Sequence, residues 1–291
     1  MNKKIIALVL AVLVAAMGFI FVACNSGETE DSESAQGSSS SSASSSDESK
    51  AASAEESDLE YVKSKGKLVV GITEFEPMDY REKDSNEWVG FDADLAKAFA
   101  KEIGVEVEFV EIVWDNKIID LNGKNIDCVW NGMTLTEDVK AAMETSKAYC
   151  NNAQVVVVKA EKADSIKSAD DCKELSFAVE NGSAGKEMAE ANGFKFTEVE
   201  KQSDALAEVM SGTSDAAIID SLMAGAMIGE GTGYSALTTT DVKLNSEEYG
   251  VGFRKGSDLA AKLNEFFEKS AADGSLEKLA ETYGVQEALI K

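Results

Sequence analysis

Histidine is absent from all 291 residues. That lack excludes Ser-His-Asp and Cys-His catalysis and the commonest zinc sites. Arginine is nearly absent as well, with only Arg81 and Arg254. Basic residues number 28 against 53 acidic ones, a formal charge of −25. A chain so acidic is repelled by nucleic acid, whose binding needs clustered Lys and Arg. The excess of acid fits solubility outside a cell. Cysteine is scarce too: Cys24, Cys128, Cys150 and Cys172 are too far apart for a C-x-x-C metal or redox motif. Cys128 falls in an apolar strand, where a buried, inert thiol is expected. One disulfide among the last three cysteines stays open.

What the chain does have begins at its N-terminus. Lys3 and Lys4 precede an apolar run from Ile5 to Phe21 that ends in the small residues Val22-Ala23-Cys24. This is the layout of a secretory signal peptide. The ending resembles a bacterial lipobox, although Phe21 stands where the third residue before the cysteine is usually Leu. The resemblance implies removal of residues 1–23, lipidation of Cys24, and an extracytoplasmic protein anchored to the bacterial cell membrane. The other reading is a transmembrane anchor, at the short end of what spans a bilayer. Both place the remainder outside the cytoplasm. Residues 25–57 hold almost nothing apolar larger than Ala. They cannot offset their ordering entropy, which predicts a disordered tether reaching roughly 30 Å.

From about 58 onward, strand-like and helix-like runs alternate. KLVVGI (67–72), VEVEFVEI (105–112), IDCVW (126–130), AQVVVVK (153–159), LSFAVE (175–180), KFTEVE (195–200), DAAIID (215–220) and GVGFRK (250–255) read as strands. In FDADLAKAFAKEIG, Phe91, Leu95, Phe99 and Ile103 recur every four residues and Gly104 supplies the stop. SDALAEVMSG repeats the device with Ser203 as cap and Leu206, Val209 and Met210 inward. SDLAAKLNEFFEKSAADG does so with Ser257 as cap and Gly274 beyond the end. Alternation of this kind predicts an α/β protein with mostly parallel sheets covered by helices. About 230 residues suffice for two lobes.

Six segments, in order, resemble the extracytoplasmic solute-binding proteins of polar-amino-acid ABC transporters, solute-binding protein family 3. They are GKLVVGITEFEPMDY (66–80), WVGFDADLAKAFAKEIG (88–104), VEIVWDNKIIDLNGKNIDCVWNGMTLT (110–136), LSFAVENGSAG (175–185), ALAEVMSGTSDAAIID (205–220) and FFEKSAADGSLEKLAETYG (266–284). The resemblance implies a two-lobed, periplasmic-binding-protein-like (type II) α/β fold with two crossings near 151–153 and 244–247. Lobe 1 would comprise 58–152 plus 246–291, and lobe 2 would comprise 153–245. It further implies a small polar solute, an amino acid or amino-acid-like amine, held between the lobes of a monomer and passed to an ABC permease, with no cofactor.

Site residues follow from the same resemblance. Asp220, ending a strand, matches the carboxylate that holds the ligand's ammonium; the plainer reading is a helix cap. Ser183 matches a hydroxyl that binds an α-carboxylate at a helix start, and capping is again the plainer reading. Gly132 and Thr134 match backbone and hydroxyl contacts. Phe75 and Trp114 match aromatic walls, and Glu74 lies near an acidic contact of some members. One departure limits the substrate. After T-x-T the family normally carries an Arg that clamps the ligand carboxylate; here that place is Val139. Lys140 could turn inward, but it lacks the fork geometry. Either Ser183, Thr134 and backbone donors hold a carboxylate, or the ligand has none.

Two rival functions stand beside transport. The fold also hosts dehydratases and cell-wall lytic enzymes, but no carboxylate pair clusters in the matched cleft segments, so no catalysis is expected. A sensory ectodomain would normally continue into a transmembrane helix and a cytoplasmic module, which leaves only a partner-bound sensor.

Overall fold

Runs of β-branched residues become strands, and apolar residues every fourth place become helices that glycine ends. The computed structural model describes residues 57–290. The expected signal peptide, Cys24 and the tether up to Glu56 lie outside the described residues. Helix α1 (Asp58–Lys65) leads into β1 (Lys67–Ile72). A small ribbon of β2 (Tyr80–Arg81) and β3 (Trp88–Val89) precedes α2 (Phe91–Ile103), β4 (Glu106–Glu111), α3 (Lys117–Asn122) and β5 (Cys128–Thr134). Then come α4 (Glu137–Ala142) and two short strands, β6 (Glu144–Thr145) and β7 (Cys150–Asn152).

The next stretch runs through β8 (Gln154–Lys159), β9 (Ser176–Glu180), α5 (Ala184–Asn192), β10 (Lys195–Val199) and α6 (Gln202–Ser211). It continues through β11 (Ala216–Asp220), α7 (Ser221–Met227) and β12 (Leu237–Lys243). The chain closes with β13 (Glu247–Phe253), α8 (Leu259–Ala272) and α9 (Ser275–Tyr283). As expected, α2 buries Phe91, Leu95, Phe99 and Ile103, and Gly104 takes the left-handed conformation (φ 80°) that lets it close the helix.

Two sheets result. The first has the order β4-β1-β5-β13-β6, with β7 also paired to β13; the second has the order β10-β9-β11-β8-β12. Both are mixed, which corrects the expectation of mostly parallel sheets. β1 runs parallel to β4 and β5, and β9 parallel to β10 and β11. β13 is antiparallel to β5, and β8 is antiparallel to both β11 and β12. The reason lies in the connections. A parallel neighbour needs a crossover, usually a helix. The chain instead passes from β7 to β8, and from β12 to β13, without one. The two crossings lie side by side, with Glu247 opposite Asn152 and the Leu244 N–H donating to the Gln154 carbonyl at 2.9 Å.

Each sheet has its own core. Trp130 meets Phe267 edge-on at 5.8 Å in the first, beside Phe99 and Phe266. In the second, Val156 and Val158 pack to one face with Phe177 and Ile218, while Val155 and Val157 pack to the other with Leu206 and Ile219. Burial on both faces explains the unbroken apolar run of β8.

Two local expectations need correction, and one open question is answered. Helix α6 begins at Gln202, so Ser203 lies inside its first turn and is no cap; Gln202 turns its side chain to Asp220 instead. Helix α8 is preceded by Asp258, not Ser257. Asp258 accepts hydrogen bonds from the Ser57 hydroxyl (2.5 Å) and the Leu59 N–H (3.0 Å), which ties the start of α1 to the C-terminal helices. Cys128, Cys150 and Cys172 are all buried and free, so no disulfide joins them.

Both arginines serve structure. Arg81 stacks on Trp88 at 4.2 Å. Arg254 donates to both Asp58 oxygens (2.9–3.1 Å), to the Ile126 carbonyl (2.9 Å) and towards Asp127 (3.4 Å). It thereby joins α1 and the entry to β5 to the end of β13. Removing one partner of a buried ion pair strands the other's charge. Arg254→Met is therefore expected to lower unfolding free energy by about 3–5 kcal/mol in urea titration; a loss within the scatter of surface substitutions would refute that role.

Candidate functional site: a cleft between the sheets

Ligands of open α/β sheets gather at the C-terminal ends of strands. Here the ends of β1 and β5 face those of β9 and β11 across a cleft of about 270 Å³. All seven residues singled out from sequence line it: Glu74, Phe75, Trp114, Gly132, Thr134, Ser183 and Asp220. Their surroundings differ. Glu74 is exposed and Thr134 half-buried, while the other five are buried. Gly132 has φ +54° and its N–H donates to buried Asp92 at 2.6 Å. A Cβ at Gly132 would stand 2.3 Å from the Phe75 ring, so glycine lets this strand end approach the aromatic wall. Phe75 in turn meets Tyr249 edge-on at 6.2 Å.

Asp220 precedes α7 but makes no capping bond with its side chain. Its carboxylate turns instead to a buried network. Oδ1 accepts from Asn152 Nδ2 (2.5 Å) and from the Tyr249 hydroxyl (2.6 Å), and Oδ2 accepts from Gln202. Asn152 Nδ2 also donates to Glu247 Oε1 (2.6 Å), which accepts from Gln154 Nε2 (2.8 Å). Asn152 belongs to one crossing and Glu247 to the other, so the site carboxylate is bonded directly to the first and, through Asn152, to the second. Burial, with Glu247 nearby, pushes Asp220 up to about 7.

A second carboxylate escaped the sequence reading. Glu180 ends β9 as Asp220 ends the neighbouring parallel strand β11, and it is 5% exposed. Burial first, and then the charge of Asp220, pushes Glu180 up to about 8. The cleft thus does hold a carboxylate pair, which corrects the expectation that none clusters there. The signal was present: an acid at the end of an apolar strand, the same argument that selected Asp220.

Lys117, also unforeseen, is the buried cation of the cleft. Its Nζ stands 4.7 Å from the Trp114 ring centre and donates to the carbonyls of Trp114 (3.2 Å) and Gly182 (2.9 Å). Burial draws its pKa down, against the pull of Glu180 and Asp115. The Gly182 bond joins the two sides of the cleft, as does Lys201 to Glu111 at 2.6 Å. Thr73 and Asn131 cross-link the ends of β1 and β5 through a 2.7 Å and a 2.8 Å hydrogen bond.

The position of the missing guanidinium is equally clear. Val139 is buried and lines the cleft. Lys140 does not turn inward: it pairs with Glu137 at 3.2 Å on an exposed face. The Ser183 hydroxyl is committed locally, donating to the Glu180 carbonyl (2.8 Å) and accepting from the Lys186 N–H (3.2 Å). Among the lining residues, Glu74, Asp115, Asp138, Glu180, Glu187, Glu190 and Asp220 face only Lys117 and Lys186. An acidic cleft of this size suits a small cation.

Comparison with known proteins follows the same line. The profile of the bacterial extracellular solute-binding proteins, family 3, matches residues 68–286. The chain belongs to that family. The arginine-binding extracellular protein ArtP of Bacillus subtilis is 33% identical over 220 residues, covering 74% of this chain and 85% of ArtP. The arginine-bound form of truncated ArgBP from T. maritima superposes with a TM-score of 0.68 at 32% identity, covering 72% and 99% of the two chains. The ancestral amino acid-binding protein AncCDT-1, a precursor of cyclohexadienyl dehydratase, gives 0.71 at 34% identity, covering 78% and 99%. The fold is consistent with the two-lobed architecture of this family, whose solute-binding proteins are extracellular.

Gly182 is one point where the two sides of the cleft touch. Its φ is +70°, and a Cβ there would stand 2.6 Å from Asp115 Oδ1 and 3.0 Å from Asp115 Cα. Gly182→Ala is expected to hold the lobes apart, raising the radius of gyration of the ligand-free protein in small-angle scattering while costing roughly 1 kcal/mol of stability. An unchanged scattering curve would show that this contact does not limit closure.

Proposed function

We propose that this family member captures a small amine-bearing solute between its lobes and delivers it to an ABC importer. The observation that carries this reading is Asp220: a buried carboxylate lining the cleft, bonded to Asn152 of one crossing and to Tyr249 of the strand that the other enters. The arginine-binding names of ArtP and ArgBP support an amino acid or amino-acid-like amine as ligand class. Lobe 1 comprises residues 58–152 and 246–291, and lobe 2 comprises 153–245. A ligand touching Asp220 on one side and Trp114, Gly132 and Thr134 on the other favours the closed form, since only contacts made on closure can shift that equilibrium. The protein acts as a monomer, tethered by lipidated Cys24 close to its permease.

Asp220→Asn removes the charge and keeps the shape. In calorimetry it is expected to weaken the tightest amine ligand by at least about 100-fold, the scale of a buried charge left unpaired. The thermal midpoint should stay near wild type, because the wild-type charge is itself costly to bury. Unchanged affinity would remove Asp220 from the site.

Binding should also move protons. With Asp220 at about 7 and Glu180 at about 8, the empty cleft is partly protonated near neutrality. A bound ammonium favours the ionised carboxylates, so protons leave and affinity rises as pH climbs from about 6 to about 8. Calorimetry in two buffers of different ionisation enthalpy should report net release; net uptake would contradict a cationic ligand.

The relation to AncCDT-1 raises catalysis as a second reading, because carboxyl groups that titrate near neutrality can act as general acids. The reading as a receptor requires that ligand incubated with the protein is recovered unaltered.

A further inference from the structure

We infer that the ligand is a carboxylate-free aliphatic dication, of the diaminoalkane or aminoalkylguanidine class, anchored chiefly by Glu180 beside Asp220. The inference rests on the receptor reading and narrows its ligand class.

Acceptor capacity decides which carboxylate does the anchoring. An ionised carboxylate offers about four acceptor positions, and an ammonium brings three donors. Asp220 already accepts from Asn152, Tyr249 and Gln202, so about one position remains for a ligand. Glu180 is less occupied. The Gln202 amide, which serves Asp220, is the protein donor beside its carboxylate, so about three positions remain. Each acid is the last residue of its strand, β9 and β11 are parallel neighbours, and both acids line the cleft. Two carboxylates sharing a buried site repel each other unless positive charge comes between them. Lys117 supplies part of that charge, but its ammonium is spent on two backbone carbonyls and the Trp114 face. The remaining charge is left for the ligand.

The other half of the argument is what a carboxylate would meet. Arg81 stacks on Trp88 and Arg254 is bound to Asp58, so neither guanidinium reaches the cleft. Lys186, the second lining ammonium, pairs with Glu198 at 3.0 Å. Val139 offers no donor from its side chain, and the Ser183 hydroxyl is used by its own turn. A ligand carboxylate would therefore enter a predominantly acidic cavity without a free cationic partner. A second amine or a guanidinium would find acidic neighbours instead. The volume of about 270 Å³ suits a small molecule of this kind.

The test compares matched pairs that differ only in the carboxylate. Calorimetry on the full mature domain would titrate 4-aminobutylguanidine against L-arginine, and 1,4-diaminobutane against L-ornithine. The expected result is at least about tenfold tighter binding of the carboxylate-free member in at least one pair, and loss of most of that affinity in Glu180→Gln. Thermal unfolding of ligand-free Glu180→Gln should match or exceed wild type, since the variant removes a buried group that is costly to ionise, so lost binding would not reflect misfolding. Tighter binding of the amino acids would overturn the inference and leave the receptor reading standing. Binding of the diamines undisturbed by Glu180→Gln would overturn the assignment of the anchor. Failure of every member of both pairs to bind would overturn this inference and the amine-receptor reading together.

Discussion

The cleft depends on one buried charge and the donors assembled around it. Asp220 is buried to all but 4% of its surface, where a carboxylate without donors would favour its protonated form. Asn152, Tyr249 and Gln202 supply the hydrogen bonds that keep ionisation within reach of neutral pH. Asn152 belongs to one crossing, and Tyr249 follows Glu247 along the strand entered by the other. The same hydrogen bonds that tolerate the charge therefore fix the segments about which the lobes would turn. A change in the charge state at Asp220 is felt at the joints without any intermediate element, which is a physical basis for coupling occupancy to lobe position.

The electrostatic design is economical because the chain has so few strong cations to place. Its two arginines are consumed elsewhere: Arg254 holds α1 to the end of β13, and Arg81 stacks on Trp88 within the β2-β3 ribbon. The buried lysine of the cleft has its ammonium hydrogen-bonded to backbone carbonyls and set against an aromatic face. What remains exposed to a solute is acid on nearly every side. Family 3 membership sets the architecture, but the balance of charge inside this particular cleft is a property of the side chains that line it. Val139, where the resemblance led us to expect an arginine, brings no charge to them.

Much of the fold was legible in the sequence, and the misses have identifiable causes. Every strand inferred from β-branched runs is present, because burial on one or both faces demands that composition. β12 was missed: LTTTDVK alternates buried and exposed residues at the sheet edge, so its apolar signal is weak. β6 and β7 are two and three residues long and carry no period at all. The sheets proved mixed because antiparallel pairing arises from chain crossings, which no local period records. Ser203 and Ser257 looked like caps on composition. Lys201 and Asp258 took those places once packing had fixed where α6 and α8 begin.

The candidate site divides in the same way. Sequence alone determined that no histidine chemistry is available, that the chain is acidic, that strands end in Asp220 and near Gly132, and that no arginine follows T-x-T. Those are facts of residue identity and of local pattern, and they hold however the chain folds. Tertiary structure decided which acids meet. Glu180 and Asp220 are forty residues apart in the chain, yet they become neighbours because β9 and β11 pair in parallel. Likewise only folding could show that Ser183 spends its hydroxyl on its own turn and that Lys117, not Lys140, enters the cleft. Desolvation and hydrogen-bond satisfaction are properties of an enclosed volume, and a one-dimensional pattern does not specify that volume.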